Sequence, residues 1–97
     1  MKILAVCGFG VGSSMILKMS AEKALKNLGI KGEVENTDLS GARGAESDLI
    51  LTSNELAREL ESSVKVPVIP IYKYMDVNEV ELKLKKYFNN KEELWIF

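Results

Sequence analysis

The 97-residue sequence contains no histidine and a single cysteine, Cys7. The lack of histidine removes the commonest metal ligand and the commonest general acid or base. A Ser-His-Asp mechanism and a zinc hydrolase site are thereby excluded for the isolated chain. One cysteine excludes an internal disulfide and a metal cage built from thiolates alone. No acidic cluster flanks Cys7, so we also expect no metal and no other cofactor.

The chain also lacks an excess of charge of either sign and a long apolar run. It carries 13 basic and 14 acidic side chains, a formal net charge of −1. Proteins that bind the nucleic-acid backbone carry a basic excess, so we expect no nucleic-acid partner. No run approaches the roughly 20 apolar residues of a membrane span, and the apolar stretch 3–6 is too short for a secretory signal. These features predict a cytoplasmic protein.

Short apolar runs alternate with amphipathic segments along the chain. Strands are predicted at 2–7, 30–37, 48–52 and 64–72, because these runs are apolar or alternate in polarity. The alternation with helices predicts an α/β fold, a single-domain four-stranded parallel sheet with helices on both faces. Pro67 and Pro70 remove two backbone donors from the fourth strand, which predicts that this strand lies at a sheet edge.

Three helices are predicted from periodicity and capping signals. The first begins at Ser14 and ends before Gly29, a predicted C′ residue, and its apolar side chains at helical spacing are Met15, Ile16, Met19, Ala24, Leu25 and Leu28. Thr52 with Glu55, and Asp76 with Glu79, resemble capping boxes. The helix after Thr52 is predicted to end at about Ser62. The last helix is predicted to line one face with Val77, Val80, Leu84, Tyr87 and Phe88.

The remaining segments are assigned by composition. Residues 38–47 contain two glycines and two serines without an apolar period, which predicts a loop with at most one helical turn. The domain is predicted to cover 1–90, and 91–97 to form a C-terminal tail. The apolar end of this tail, Leu94 to Phe97, is predicted either to pack on the domain or to contact a partner.

Cys7 follows the first predicted strand, at the carboxyl end where ligands bind in an open parallel sheet. The next residues, GFGVGSS from Gly8 to Ser14, lead into a helix N-terminus. Amides of such a glycine-rich turn bind anions and favour a thiolate. A thiolate beside an anion cradle suits phosphoryl transfer. In the alternative interpretation, Cys7 is a small buried apolar residue and the glycines only form a tight turn.

Residue 13 excludes three better-known glycine-rich loops. At this position a Walker A loop requires Lys, a GxGxxG dinucleotide loop requires Gly, and a CxxxxxR phosphatase loop requires Arg, but the residue is Ser13. Without the guanidinium charge, the loop can hold a phosphoryl group but lacks the fixed charge that stabilises the transition state of its hydrolysis. We therefore expect the group to be passed on rather than hydrolysed.

The stretch AVCGFGVGSSMILKM, from Ala5 to Met19, resembles the phosphocysteine loop and first helix of enzyme IIB components of the bacterial phosphoenolpyruvate-dependent sugar phosphotransferase system (PTS). It is most similar to the ascorbate type, whose stretch runs close to CGNGxGSSMIMKM, and the galactitol and lactose/chitobiose types are more distant. The match covers about residues 4–19. One departure is Phe9, where the ascorbate type commonly has Asn.

This resemblance implies a fold, a reaction and partners. The fold is a four-stranded parallel sheet with flanking helices. The cysteine matched by Cys7 takes a phosphoryl group from a histidine of an enzyme IIA protein. It then delivers the group to a sugar, here an ascorbate-like one, bound in the membrane enzyme IIC. The protein would be peripheral to the membrane through enzyme IIC.

The predicted site is Cys7 as the covalent carrier, with the phosphate-binding loop Gly8, Phe9, Gly10, Val11, Gly12, Ser13 and Ser14. Secondary candidates are Thr52, Ser53 and Arg43, for which helix capping or simple exposure is the alternative. Phe9 is predicted to be exposed, as an anchor for a docking protein; the alternative is that it shields the sulfur or fills the core. Residues 72–74 are predicted to form part of a docking surface.

Two other functions remain open at this point. The first is a small cysteine phosphatase that has lost its arginine. The second is a noncatalytic module that binds a phosphorylated ligand in the amide cradle without a covalent step. Of the three functions, only that of a phosphoryl carrier predicts a stable phosphoryl group on Cys7.

Overall fold

The computed structural model describes residues 1–7, 11–44 and 46–96, with the backbone alone described for 11–13 and 90–96. In these ranges strands and helices alternate along the chain. The strands are β1 (Lys2–Val6), β2 (Glu33–Thr37), β3 (Leu49–Thr52) and β4 (Val68–Pro70). The helices are α1 (Val11–Leu28), α2 (Leu39–Gly44), α3 (Asn54–Glu61) and α4 (Val77–Ile96).

The four strands form one parallel sheet in the order β2-β1-β3-β4. This confirms the predicted architecture and the edge position of β4. Because all strands are parallel, their carboxyl ends meet at one edge, where Val6 pairs with Thr37 and Thr52 pairs with Pro70. β2 and β4 are shorter than predicted. For β2 the reason is the register. Glu33 pairs with Lys2, the first residue of β1, so the residues before Glu33 have no partner residue in β1.

Helices cover both faces of the sheet, and alternate residues of β1 and β3 pack against each layer. Ile3, Ala5, Leu49 and Leu51 pack with α1 and α4, whereas Leu4, Val6 and Ile50 pack with α2 and α3. Residues 3–6 and 49–52 are fully buried, which explains why these strands are continuous apolar runs. The predicted inner face of α4 is confirmed by its place in the first of these clusters. The backbone of α4 continues through residue 90 to Ile96.

The apolar face predicted for α1 was wrong at three positions. Met15, Ile16 and Met19 are 49%, 42% and 64% exposed. The buried stripe consists instead of Ser14, Leu17, Ser20, Ala21, Ala24 and Leu25. Most of these side chains are small, which lets α1 approach the sheet and α4 closely. α1 ends as predicted, because Gly29 has a φ of 71° and Ile30 N–H donates to the Leu25 carbonyl.

The predicted loop 38–47 contains α2. Asp38 Oδ1 accepts a hydrogen bond of 2.7 Å from Gly41 N–H, and Ala42 is buried against the sheet. A Cβ atom at Gly41 would overlap the Thr37 hydroxyl. Glycine is therefore required where α2 passes the end of β2.

The capping box predicted at Thr52 was also wrong. The N-cap of α3 is Ser53, whose Oγ accepts a hydrogen bond of 3.2 Å from Leu56 N–H. Thr52 is still part of β3, and its hydroxyl donates to the Val6 carbonyl instead. At α4, Asp76 Oδ1 caps the helix as predicted by accepting from the Asn78 and Glu79 amides.

Candidate functional site

Cys7 directly follows β1 at the carboxyl edge of the sheet, between the ends of β2 and β3. Its thiol is free and only 3% of the residue is exposed. Its N–H donates to the Thr37 carbonyl over 3.4 Å. The chain leaves β1 towards α1 on one face, and leaves β3 towards α3 on the other. Cys7 therefore lies at the topological switch point, where ligands bind in open parallel sheets.

The first turn of α1 begins at Val11, three residues before the predicted start at Ser14. Backbone N–H groups in the first turn of a helix have no acceptor within that helix, and the helix dipole is positive there. The amides at 11–13 thus lie in the positive first turn of a helix, close in sequence to Cys7. Gly8, Phe9 and Gly10 lie outside the described residues, so the cradle and the exposure predicted for them stay predictions.

Ser14 connects this first turn to the neighbouring strand. It is buried, and its Oγ accepts a hydrogen bond of 3.4 Å from Asn36 Nδ2 near the end of β2. The contact holds the beginning of α1 against the carboxyl edge of the sheet. Sequence reasoning did not identify Asn36, because only the sheet register brings it beside α1.

Thr52 and Ser53 lie next to Cys7 but differ in their contacts. Thr52 is fully buried and its hydroxyl is 2.9 Å from the Val6 carbonyl oxygen. Ser53 is partly buried and lines a depression at the carboxyl edge together with Tyr74. The structure thus places Ser53 at the surface of the site and Thr52 beneath it.

Tyr74 lies beside the candidate site and lines the same depression as Ser53. Ser53 and Cys7 both affect the pKa of its phenol. Burial raises the pKa of Tyr74 above 10.0; contact with Ser53 lowers it in part, and Cys7 raises it further. The phenol therefore remains protonated at neutral pH. The Tyr74 carbonyl accepts a hydrogen bond from Ser20 Oγ on α1, which fixes the turn that carries the ring.

Glu79 and Lys83 on α4 hold the segment that precedes Tyr74. The Glu79 carboxylate accepts from Tyr72 N–H at 2.7 Å and from Lys73 N–H at 2.9 Å, and Lys83 Nζ donates to it at 2.8 Å. Lys83 also donates to the Pro70 carbonyl and lies 4.7 Å from the centre of the Tyr72 ring. Burial alone would raise the pKa of Glu79, but the hydrogen bonds from Lys83 and the two amides lower it overall.

An apolar surface adjoins the site. Ile16, Tyr72 and Met75 are 42%, 70% and 79% exposed and line the same depression as Ser53 and Tyr74. Met15 and Met19 are exposed on α1 nearby in sequence. We call Ile16, Tyr72 and Met75 the apolar rim. Exposed apolar groups collected in one patch are typical of a protein-binding surface.

Comparison with known proteins identifies the family. The sequence profile of the family described as "PTS system, Lactose/Cellobiose specific IIB subunit" matches residues 2–86. The chain belongs to this family. It is therefore a IIB component of a sugar phosphotransferase system, and its family membership implies phosphotransferase activity.

Individual relatives agree with this assignment. The "Ascorbate-specific PTS system EIIB component" of Mycoplasma pneumoniae is 35% identical over 86 residues, 87% of this chain and 90% of that protein. The component of the same name from Escherichia coli O157:H7 is 39% identical over 66 residues, 61% of this chain and 60% of that protein. These names agree with the ascorbate type that the N-terminal motif resembles.

A solved structure shows the same fold. The lactose-specific IIB component domain from Streptococcus pneumoniae superimposes with a TM-score of 0.64 at 14% identity, over 92% of this chain and 95% of that domain. The predicted four-stranded parallel fold of the IIB family is thus confirmed for this chain.

Arg43 lies away from the other predicted site residues of this IIB component. It is exposed near the end of α2 and lines a different cavity with Lys2, Asp48 and Lys65. Lys2 begins β1, whereas Cys7 follows its end, so this cavity is at the amino edge of the sheet. Helix α2 runs back from the carboxyl edge, and this direction carries Arg43 away from Cys7.

The described residues of the IIB chain give two further findings. Among them, no three or more His, Cys, Asp or Glu side chains are grouped in a way that could hold a metal ion. In the same part of the chain, no helix is both long and apolar enough to cross a membrane.

Proposed function

We propose that this chain is the phosphoryl carrier of an ascorbate-type PTS and that Cys7 is the residue that carries the group. The observation that carries the proposal is the position of Cys7. It is the only cysteine of a IIB-family chain, and it lies at the switch point of the sheet, next in the chain to a glycine-rich stretch and a helix N-terminus. The ascorbate assignment is supported by the names of the relatives.

In the first step, the thiolate of Cys7 attacks the phosphorus of a phosphohistidine on an enzyme IIA protein. The S–P bond forms while the P–N bond breaks, and the imidazole nitrogen keeps the electron pair. In the second step, a sugar hydroxyl held by enzyme IIC attacks the same phosphorus. An O–P bond forms, the S–P electron pair returns to sulfur, and the hydroxyl proton leaves to a base outside this chain.

The backbone amides of Gly8 to Ser14 are proposed to receive the phosphoryl oxygens. The first-turn amides of α1 supply positive dipole ends at one side of the phosphate. This arrangement has no guanidinium, since residue 13 is serine. The group is therefore held in a neutral cradle and remains transferable, which favours a carrier over a phosphatase.

The apolar rim is proposed to dock enzyme IIA and enzyme IIC in turn. Both partners must bring their reacting atom to the same sulfur, which is nearly buried, so both must cover the surface around it. Ile16, Tyr72 and Met75 provide exposed apolar contacts on that surface. Docking on enzyme IIC would place this chain at the cytoplasmic side of the membrane.

A reconstituted transfer assay tests the proposal. The chain is incubated with phosphoenolpyruvate, the general PTS proteins and phosphorylated IIA proteins of the ascorbate and lactose types. We expect labelling of the wild type by the ascorbate-type donor and none of Cys7→Ser, because serine stays protonated and is a weak nucleophile near neutral pH. Undiminished labelling of Cys7→Ser would overturn the assignment of Cys7.

The same assay separates the other two functions. A phosphatase would hydrolyse a generic phosphoester with turnover and accumulate no label. A noncatalytic anion-binding module would bind phosphorylated ligands but would gain no covalent group. Either result would contradict the proposed phosphoryl-carrier function. We expect EDTA to leave the transfer unchanged, because the donor is already activated.

A further inference from the structure

Tyr72 is highly exposed, yet three contacts hold it in place. The residue is 70% accessible, but its N–H donates to Glu79 Oε2 over 2.7 Å. Lys83 Nζ lies 4.7 Å from the centre of its ring, and its hydroxyl accepts from Asn54 Nδ2 over 3.1 Å. An exposed side chain without such contacts samples several rotamers. The fold therefore orders this large exposed ring at its backbone, its face and its tip.

Glu79 and Lys83 form the support on the α4 side of the ring. The two oxygens of the Glu79 carboxylate accept from consecutive amides, Oε2 from Tyr72 at 2.7 Å and Oε1 from Lys73 at 2.9 Å. Lys83 Nζ donates to the same carboxylate at 2.8 Å and also to the carbonyl of Pro70, the last residue of β4. Since Glu79 and Lys83 lie one turn apart on α4, this helix fixes the direction in which the chain leaves the sheet.

Asn54 supports the ring from the opposite layer. It is the first residue of α3, which packs on the other face of the sheet from α4. The Tyr72 side chain therefore spans the carboxyl edge between the two helix layers. It forms part of the depression that also holds Ile16 and Met75.

Tyr72 lies within the area that a protein centred on Cys7 would cover. Only β3 separates β1, which Cys7 follows, from β4, which precedes Tyr72. Neighbouring strands are about 4.8 Å apart, so the ends of β1 and β4 are separated by roughly 10 Å. A stable protein interface buries about 800 Å² of each partner, which is a patch roughly 30 Å across. A protein that brings its reacting group to Cys7 therefore covers Tyr72 as well.

We propose that Tyr72 is a preorganised docking anchor for enzyme IIA, and that Glu79 and Lys83 are positioning residues that fix its ring before the partner binds. The proposal rests on the phosphoryl-carrier function and assigns the main contact of its first step. Enzyme IIA is the occupant because its phosphorus is carried on a short histidine side chain, so the surface of that protein has to meet the surface around Cys7. At enzyme IIC, a sugar lies between the sulfur and the protein.

Fixing the ring in advance favours docking. Ordering one flexible side chain at an interface weakens binding by about two- to tenfold. In this chain Glu79, Lys83 and Asn54 already order the ring in the absence of a partner. Aromatic anchors contribute most when other contacts around them exclude water, and Ile16 and Met75 line the same depression. Enzyme IIA can therefore bind and leave repeatedly without reorganisation of this surface.

The test measures the Kd of unphosphorylated ascorbate-type enzyme IIA for the full-length chain by NMR titration. Tyr72→Ala should raise the Kd about thirtyfold, as truncation of an aromatic anchor does. Lys83→Met keeps the apolar stem but frees the ring, and should raise the Kd about two- to tenfold. The matched control is Lys86→Met, the same loss of charge at an exposed position of α4, which should bind like the wild type.

A double-mutant cycle separates positioning from direct contact. If Lys83 acts through the ring, Lys83→Met should cause no further change of Kd in the Tyr72→Ala background. The same fold-loss in both backgrounds would show that Lys83 contacts the partner itself or has a general structural role, and would overturn its assignment as a positioning residue. Amide hydrogen exchange gives an independent measurement: the Tyr72 and Lys73 amides should exchange faster in Glu79→Gln and Lys83→Met, while β1 and β3 stay protected.

Unchanged binding of Tyr72→Ala would overturn the anchor, even if Cys7 is phosphorylated normally. A chain that does not bind enzyme IIA at all would also overturn it. Binding through Tyr72 in a chain that never accepts a phosphoryl group would support the anchor and overturn only the carrier function. The two proposals therefore fail by different measurements.

Discussion

The hydroxyl of Thr52 donates a hydrogen bond of 2.9 Å to the carbonyl of Val6, the residue before Cys7. Thr52 is fully buried, and the bond joins the ends of the neighbouring strands β3 and β1. It helps to set the distance between the residues that follow the two strands, Cys7 after β1 and Ser53 after β3. A buried side chain thus connects the two strand ends beneath the surface of the candidate site.

Thr52→Val should destabilise the protein while preserving the volume of the side chain. The variant leaves the buried Val6 carbonyl without this donor, and we expect a loss of about 1–3 kcal/mol in the free energy of unfolding. Urea unfolding at neutral pH measures the loss. Thr52→Ser retains the hydroxyl; if it loses as much stability as Thr52→Val, the hydrogen bond is not the cause.

Glu79 should stabilise the fold in a pH-dependent way. The hydrogen bonds from Lys83 and the Tyr72 and Lys73 amides favour the carboxylate in the folded state and lower the pKa of Glu79 from 4.5. Its contribution is therefore present above the unfolded value and is lost as the pH falls through the folded value. We expect Glu79→Gln to be less stable than the wild type at pH 7, with the difference shrinking below about pH 4.

The control for this prediction is Glu59→Gln, a change of the same charge at an exposed position of α3. We expect its unfolding free energy to follow the wild type across the whole pH range. A Glu79→Gln difference that is constant with pH would show that the carboxylate charge is not what holds the segment before Tyr74.

The sequence allowed the sheet and the position of Cys7 at its carboxyl edge to be predicted, because buried parallel strands are continuous apolar runs and Cys7 directly follows one of them. It did not predict which side of α1 is buried, since Met15 and Ile16 are more apolar than the small residues that pack. The N-cap was misplaced by one residue because the Thr52 hydroxyl has a partner 46 positions away. Residues 72–74 were predicted as docking surface, and the position of Tyr74 beside Ser53 depends on the order of the strands.

The apolar rim should matter for transfer between proteins and not for small-molecule chemistry. Ile16→Glu and Met75→Glu place a charge in the proposed contact, and we expect phosphoryl acceptance from enzyme IIA to slow about tenfold or more, as for a buried interface contact. Alkylation of Cys7 by iodoacetamide should be nearly unchanged. Stopped-flow transfer and alkylation rates are compared for each variant.

The control is Leu82→Glu on α4, which changes an exposed leucine, 68% accessible, outside the depression that holds the rim. Its transfer rate should equal that of the wild type. If all three variants slow transfer equally, the apolar rim is not a specific part of the docking surface. If a variant loses transfer and alkylation equally, its defect is structural.

The most direct test of the carrier function locates the phosphoryl group by mass spectrometry. The chain is treated with phosphorylated ascorbate-type enzyme IIA, weighed intact, and cleaved by trypsin to release the peptide 3–18, which contains Cys7, Ser13 and Ser14. We predict a gain of one phosphoryl group, fragments that place it on Cys7, and its loss when enzyme IIC and sugar are added. A chain that gains no phosphoryl group, or carries it on a serine, would contradict the account.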